Sequence, residues 1–216
     1  MGKSLLLIAC CALLIPTTVC QETKPKQPVA HSPDDLTVIP ATGPYHRITG
    51  NQRIEWAAIQ TFGPESLLTG TFSAGLGTAR NAPREYEAHW DGFAKRYGMR
   101  FTGVASSNVI EAGLGALWGE DPRYVRVAQR PFKARVANVF VMTFAARSRS
   151  GRLIPSYARY IAIPGNNFLS NTWRVPSEST TSDALKRTGF GLLADVASNA
   201  WDEFWPDAKK LMFTRR

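Results

Sequence analysis

Small residues recur at every fourth position in three segments of this chain, and this spacing constrains the fold more than any other feature. The three rows are Ser66, Gly70, Ala74 and Thr78; Gly103, Ser107, Glu111 and Gly115; and Gly191, Asp195 and Asn199. Side chains four residues apart stack along one face of an α-helix, and small ones let a second helix approach closely. An internal glycine costs a helix about 1 kcal/mol relative to alanine. The rows therefore predict that close helix packing compensates this cost.

Glycine and proline divide the chain after residue 50 into successive segments with helical periodicity. The predicted helices cover residues 51–62, 64–80, 83–97, 101–118, 131–147, 156–163 and 182–205. Strand-like alternation is scarce, and no internal repeat of useful length is present. These features predict an all-α fold, a compact bundle of about five to seven helices with small-residue packing faces.

The first twenty residues have the pattern of a secretory signal segment. Lys3 precedes an apolar run over residues 5–16, which has the length of a signal h-region and is shorter than the roughly 20 residues of a membrane-spanning helix. We expect cleavage after Cys20. Lipid attachment at Cys10 or Cys20 and an uncleaved anchor are the alternatives.

The three cysteines, Cys10, Cys11 and Cys20, all fall inside this segment. The exported chain would therefore have no disulfide, no thiolate nucleophile and no cysteine-ligated metal. Residues 21–50 are rich in Pro, Thr, His and Gly without periodicity, which predicts an extended or disordered leader. A single helical domain is expected over residues 51–216.

The small-residue faces have two interpretations. One is a tightly packed soluble bundle, and the other is a set of helices packed within or against a membrane. The stretch 101–119 contains a single charged residue and just meets the spanning length, whereas 67–79 and 136–146 are too short to cross alone.

Glu111 and Asp195 are the acids that we expect to be buried, because they lie on the small-residue rows. A buried carboxylate must pair with a cation or stay protonated. The two acids could form the acid/base pair of a secreted hydrolase. In the other interpretation they accept hydrogen bonds from Arg, Asn or Ser side chains and fix the helix packing.

Basic residues cluster in a part of the chain that has no acid, between Pro122 and Ser177. The predicted anion-contacting residues are Arg123, Arg126, Arg130, Lys133, Arg135, Arg147, Arg149 and Arg152. A block of one sign predicts a positive surface that attracts anions. For an exported protein these are anionic lipid, lipopolysaccharide phosphate or acidic glycan. Nucleic acid is less available outside the cell and is not the expected partner.

Motifs for metal, cofactor or nucleophilic chemistry are missing from the sequence. His31 and His46 fall in the predicted leader, which leaves His89 in the domain, and Glu85 with His89 supplies only two metal ligands. The sequence has no His-Glu-x-x-His, Gly-x-Ser-x-Gly or P-loop pattern. We therefore expect neither a metal nor a cofactor.

One local motif carries a family resemblance, namely Glu120-Asp121-Pro122-Arg123-Tyr124. Asp121-Pro122 predicts a turn whose flanking acid and arginine bridge two helix ends. The motif resembles the signature of a family of signal-bearing bacterial proteins. Their upstream Phe-Gly-Pro-x-Ser-Leu element corresponds to residues 62–67 here, and their Glu-Phe-x-Pro-Asp element corresponds to residues 203–207. The resemblance covers about residues 51–210. It implies a bacterial envelope location and no particular activity.

Together these features predict a non-enzymatic helical protein of the bacterial envelope, periplasmic or attached to the outer membrane, that contacts anionic lipid or glycan. The secreted hydrolase with Glu111 and Asp195 is the alternative. A scaffold that uses the aromatic C-terminal segment, residues 201–206, is a third hypothesis. The sequence sets no oligomeric state.

Overall fold

The structure is a computed structural model of the 216-residue chain, and it describes residues 36–42 and 44–213. The predicted signal segment at residues 1–20 lies outside the described residues. The first part of the predicted leader, residues 21–35, lies outside them as well.

Six α-helices form the described part of the chain. They are α1 (Gly50–Phe62), α2 (Pro64–Ala79), α3 (Trp90–Trp118), α4 (Phe132–Phe144), α5 (Tyr157–Leu169) and α6 (Thr181–Phe213). This architecture confirms the predicted all-α fold and falls within its predicted range of helices.

Five short strands connect the helices. The strands are β1 (Val38–Pro40), β2 (Glu120–Asp121), β3 (Tyr124–Arg126), β4 (Ala145–Ser148) and β5 (Leu153–Pro155). β1 pairs in parallel with β3, and β4 lies between β2 and β5 in an antiparallel sheet. Because residues 145–148 pair with both neighbours, α4 ends at Phe144 and not at residue 147 as predicted.

The two helices predicted over 83–97 and 101–118 are one helix in the structure. α3 begins at Trp90, since Pro83 leads into a 3-10 turn and Glu87 has a left-handed φ of 61°. α3 then continues through Gly98, although an internal glycine costs a helix about 1 kcal/mol. Gly119, at φ 75°, ends the helix.

α1 and α2 follow one another along α3 in the antiparallel direction. Pro64 occupies the first position of α2, where its missing N–H is not needed. The Asn108 amide of α3 donates to the Thr61 hydroxyl over 3.0 Å, and Arg100 donates to the Ser66 carbonyl over 3.3 Å. The two short helices thus lie one after the other along α3.

The remaining helices pack in antiparallel pairs, α5 on α3, α6 on α5 and α4 on α6. In each pair a side-chain amide donates to the facing helix. The three bonds run from Asn166 to the Gly103 carbonyl (2.9 Å), from Asn167 to the Thr188 hydroxyl (3.4 Å) and from Asn199 to the Thr143 hydroxyl (2.9 Å). All three donors are side-chain amides, so polar groups mediate the packing of helices in the interior.

The described part of the predicted leader packs on the helical domain. β1 pairs with β3, Ile48 is buried, and Thr49 forms a capping box with Gln52 at the start of α1. Because this segment contributes a strand and a helix cap, the domain begins on the N-terminal side of the predicted boundary at residue 51.

Candidate functional site

The Glu120–Tyr124 motif forms a buried ionic cluster after the end of α3. Asp121 and Arg123 are 1% and 5% exposed, and Arg123 donates to the Asp121 carboxylate from Nε over 3.0 Å and from Nη2 over 2.7 Å. Tyr45 also donates to Asp121 over 2.9 Å, and burial beside this acid raises the pKa of Tyr45 to about 12. The carboxylate thus fixes the turn to the segment before α1.

Glu120 holds the beginning of α5. Its Oε2 accepts from the Ala158 amide over 3.1 Å, which satisfies one of the free N–H groups of a helix N-terminus. Burial raises the pKa of Glu120. Arg53 of α1 donates to the Glu120 carbonyl. Glu120, which follows the end of α3, therefore joins α1 through its backbone carbonyl and α5 through its carboxylate.

Glu203 of α6 is the centre of a second cluster and has no exposed surface. Its carboxylate accepts from Tyr124 over 2.8 Å, from the Val127 amide over 3.1 Å and from Arg135 over 2.7 Å. Burial and this acid raise the pKa of Tyr124. Asp207 pairs with Arg135 over 2.6 Å.

Two of the three motif elements are therefore in direct contact. Tyr124 ends the first motif, and Glu203 begins the element at residues 203–207. The third element, residues 62–67, forms the junction of α1 and α2. Its Glu65 accepts from Ser198 of α6 over 3.3 Å.

The predicted pair of acids, Glu111 and Asp195, meets at one arginine, Arg159 of α5. Arg159 contacts Glu111 over 3.1 Å and Asp195 over 3.6 Å. It also donates to the carbonyls of Met142 and Thr143 over 2.9 Å and 3.0 Å. Glu111 thus accepts a hydrogen bond from an arginine, whereas Oδ2 of Asp195 has no hydrogen-bond partner among the residues that the structure describes.

The cavity beside these acids is small and polar. It measures about 60 Å³, and Gln60, Asn108, Asn199 and Asp202 line it together with the two acids and Arg159. Ligand pockets are typically about 300–1,000 Å³, whereas this volume suits a few water molecules. Burial and Glu111 raise the pKa of Asp195 to about 6. Asp195 can therefore exchange a proton near neutral pH, but the cavity leaves little room for a substrate.

The predicted anion-contacting residues divide into three groups. Arg123, Arg126 and Arg135 pair with Asp121, Asp207 and Glu203, so their guanidinium groups are neutralised internally. Arg147 is half-buried and donates to the Gly151 carbonyl over 2.9 Å. The exposed ones are Arg130, Lys133, Arg149 and Arg152.

Many large hydrophobic side chains lie on the outside of the bundle. Among the described residues, thirteen polar or charged side chains are buried, as many as the buried hydrophobic ones, while twenty-eight large hydrophobic side chains are exposed. Soluble proteins bury charged residues rarely and seldom present large apolar patches. The described residues therefore combine a half-polar interior with many large hydrophobic side chains on the outside.

Three helical segments have almost no charged residue on their outer faces. After Glu65, α2 has no charged residue. α5 contains only Arg159, which is buried, and α3 after position 100 contains only Glu111, which is also buried. Outward side chains there include Leu68 and Phe72, which are 71% and 73% exposed.

Exposed tryptophans lie at both ends of α3. Trp90 is the first residue of the helix and Trp118 the last, and they are 77% and 46% exposed. At 1.5 Å per residue the helix is about 43 Å long, and a bilayer with its headgroup regions is about 40–45 Å thick. Trp is enriched at membrane–water boundaries.

The small-residue rows are the inner faces of the helices. A Cβ on Gly70 would lie 3.1 Å from the Tyr97 ring, and one on Gly191 would lie 3.0 Å from Ile163. α2 therefore presents its small residues to α3 and its large apolar residues to the outside.

Sequence reasoning missed Arg159 and Glu203 as the centres of the buried clusters. Arg159 is the single charged residue of α5, which is the signal that could have identified it. The sequence singles out Glu203 only as part of the element at residues 203–207. Its partners lie more than 60 residues away and therefore leave no local pattern.

None of the helices that the structure describes is both long and apolar enough to cross a membrane. Within residues 36–42 and 44–213, no group of three or more His, Cys, Asp or Glu side chains is placed to hold a metal ion. Comparison with known proteins gives no match, either to a family model, to a curated protein or to a solved structure.

Proposed function

We propose that this chain is a non-enzymatic, membrane-associated protein of the bacterial envelope. Its apolar outer surface contacts lipid, and its exposed basic residues contact anionic headgroups. The observation that carries the proposal is that paired ions are buried inside the bundle while many large hydrophobic residues are exposed on its outside.

The hydrophobic effect supplies the attraction. Each Å² of apolar surface removed from water contributes roughly 25 cal/mol, and the outward side chains of α2 alone include Leu68, Phe72 and Leu76. Lipid that covers these residues removes them from water and leaves the internal ion pairs untouched. Ionisable residues of membrane proteins face the protein interior in the same way.

Electrostatic attraction to anionic headgroups adds to the hydrophobic contribution. The chain has a net charge of +9, and Arg130, Lys133, Arg149 and Arg152 are exposed. Near an anionic membrane surface each Lys or Arg contributes about 1 kcal/mol. The envelope location itself rests on the predicted signal segment and on the family resemblance of the Glu120–Tyr124 motif.

Flotation of the purified protein with lipid vesicles tests the proposal. Vesicles that contain phosphatidylglycerol should carry the protein to the top of a density gradient at low salt. Leu68→Asn with Phe72→Asn should weaken binding by about tenfold or more, because a loss of about 1.4 kcal/mol corresponds to tenfold and each side chain contributes at least that when fully buried.

The matched control is Thr69→Asn with Ser73→Asn, two exposed positions of α2 with the same spacing. This control should bind like the unchanged protein. The proposal fails if the unchanged protein stays at the bottom of the gradient with anionic and neutral vesicles alike, or if both double variants bind as it does.

A further inference from the structure

The last turn of α6 exposes three consecutive large hydrophobic side chains, which we call the α6 tip. Leu211, Met212 and Phe213 are 74%, 56% and 72% exposed, and α6 is still helical at all three positions. Successive residues of an α-helix point about 100° apart, so the three side chains leave the helix on different sides. A flat protein surface would cover one side of this turn, whereas lipid can surround it.

The α6 tip lies beyond the contacts that hold α6 to the rest of the bundle. Asp207 pairs with Arg126 over 3.0 Å and with Arg135 over 2.6 Å. Among residues 36–42 and 44–213, it is the last residue of α6 that forms an ion pair with another element. The six residues that follow it add about 9 Å of helix. The tip is therefore at the end of the bundle.

The beginning of α4 lies at the same end, because α4 and α6 are antiparallel. The Phe132 ring is 5.4 Å from the Phe204 ring, and the Arg135 guanidinium lies over that same ring at 4.5 Å. Phe132 is itself 70% exposed. A large aromatic side chain thus extends the apolar surface of this end from α6 to α4.

The exposed charges at this end are basic. Residues 208–216 contain four basic residues and no acid, and Asp207 before them is paired with two arginines. A positive end of this kind attracts an anionic surface and would repel the same end of a second copy of the chain. The exposed basic residues, which we call the basic rim, are Arg130, Lys133, Lys209 and Lys210.

We infer that the α6 tip inserts into the lipid of an anionic membrane, with its three side chains among the acyl chains and the basic rim at the headgroup phosphates. This inference rests on the proposed function and names the part of the surface that enters the lipid. A lysine side chain can lie along apolar surface while its charged end stays in water. Lys209 and Lys210, directly before the tip, are therefore suited to the headgroup layer.

A fluorescent label at the tip tests the insertion. Cys10, Cys11 and Cys20 are replaced by serine, and Phe213→Cys is labelled with a fluorophore whose emission shifts to the blue in apolar surroundings. Phosphatidylglycerol vesicles should shift this emission, and brominated acyl chains should quench it. The matched control is Lys186→Cys with the same label, an exposed position of the same helix about 35 Å away. Its emission should stay as it is in buffer.

Neutralising part of the basic rim tests the contact with phosphate. Lys209→Gln with Lys210→Gln should weaken binding to phosphatidylglycerol vesicles by about tenfold or more, because each basic residue near an anionic surface contributes roughly fivefold. Binding to phosphatidylcholine vesicles should stay the same. The matched control is Lys95→Gln with Lys186→Gln, two exposed lysines outside the rim. It should bind within about twofold of the unchanged protein, since electrostatic attraction fades over a Debye length of about 10 Å.

A label at position 213 that stays in water on vesicle-bound protein overturns the inference and leaves the proposed function intact. Equal weakening by the two double lysine variants overturns it as well. If the unchanged protein does not float with either kind of vesicle, the proposed function and the inference are refuted together.

Discussion

Replacing Glu203 by alanine should lower the free energy of unfolding by about 3–5 kcal/mol, because Arg135 then loses its buried acid and two further donors lose their acceptor. The carboxylate is fully buried and accepts from Tyr124, the Val127 amide and Arg135. The variant removes the acceptor of the Tyr124 hydroxyl and the Val127 amide, and it leaves Arg135, which is only 12% exposed, with Asp207 as its one acidic partner. Domains of this size are stable by about 5–15 kcal/mol, so the loss is a large share of the total.

Urea unfolding followed by circular dichroism measures this change. Asp207→Asn is the matched control, because Asp207 pairs with the same Arg135 but is 39% exposed. A surface ion pair contributes about 0–1 kcal/mol, so this control should unfold near the midpoint of the unchanged protein. Equal effects of the two substitutions would contradict the central place of Glu203.

Replacing Arg159 by methionine should be destabilising to a similar extent, about 3–5 kcal/mol. Glu111 is 7% exposed and would lose its cation while it lies beside Asp195. The carbonyls of Met142 and Thr143 would also lose their donor. Methionine retains most of the volume of the side chain, so the effect would report charge and hydrogen bonding and not a cavity.

A double-mutant cycle with Glu111→Gln separates the ion pair from other effects. Residues in one salt-bridge network show coupling energies of about 0.5–3 kcal/mol, and the double variant should therefore be more stable than the sum of the single losses predicts. Arg149→Met is the control for the loss of an exposed arginine, since Arg149 donates to carbonyls at the end of α3 from the surface. Additive losses in the cycle would show that Arg159 does not hold Glu111.

The helical fold could be predicted from local signals because proline and glycine residues mark the breaks between the helices. Pro64 separates α1 from α2, and Gly119 ends α3. Boundaries that depend on distant contacts could not be predicted in this way. α4 ends at Phe144 because the following residues pair with β2 and β5, and α6 continues through Pro206 to Phe213.

The candidate site was predictable in part for the same reason. Glu111 and Asp195 lie on small-residue rows, and that placement led to the expectation that they are buried. The run of basic residues was more ambiguous, because Arg126 and Arg135 find their acids in α6, far along the chain. A local stretch without acids therefore does not show which of its arginines remain exposed.

The outward position of the large hydrophobic residues also depended on the tertiary structure. A helix such as α2 has a face of small residues and a face of large apolar ones, and periodicity does not say which one faces the neighbouring helix. The close approach of Gly70 to Tyr97 decides it, since a large side chain at position 70 would collide with that ring. Leu68 and Phe72 are left on the outside.

Quenching of tryptophan fluorescence by brominated lipid tests the central claim most directly, because bromine on the acyl chains quenches only nearby indole rings. Four of the six tryptophans, namely Trp90, Trp118, Trp173 and Trp201, are exposed by more than a third. We predict that vesicles of brominated phosphatidylglycerol reduce the emission of the unchanged protein strongly, whereas unbrominated vesicles do not. Emission that is the same with both lipids, at vesicle concentrations that bind the protein, would contradict the claim that its apolar surface lies against lipid.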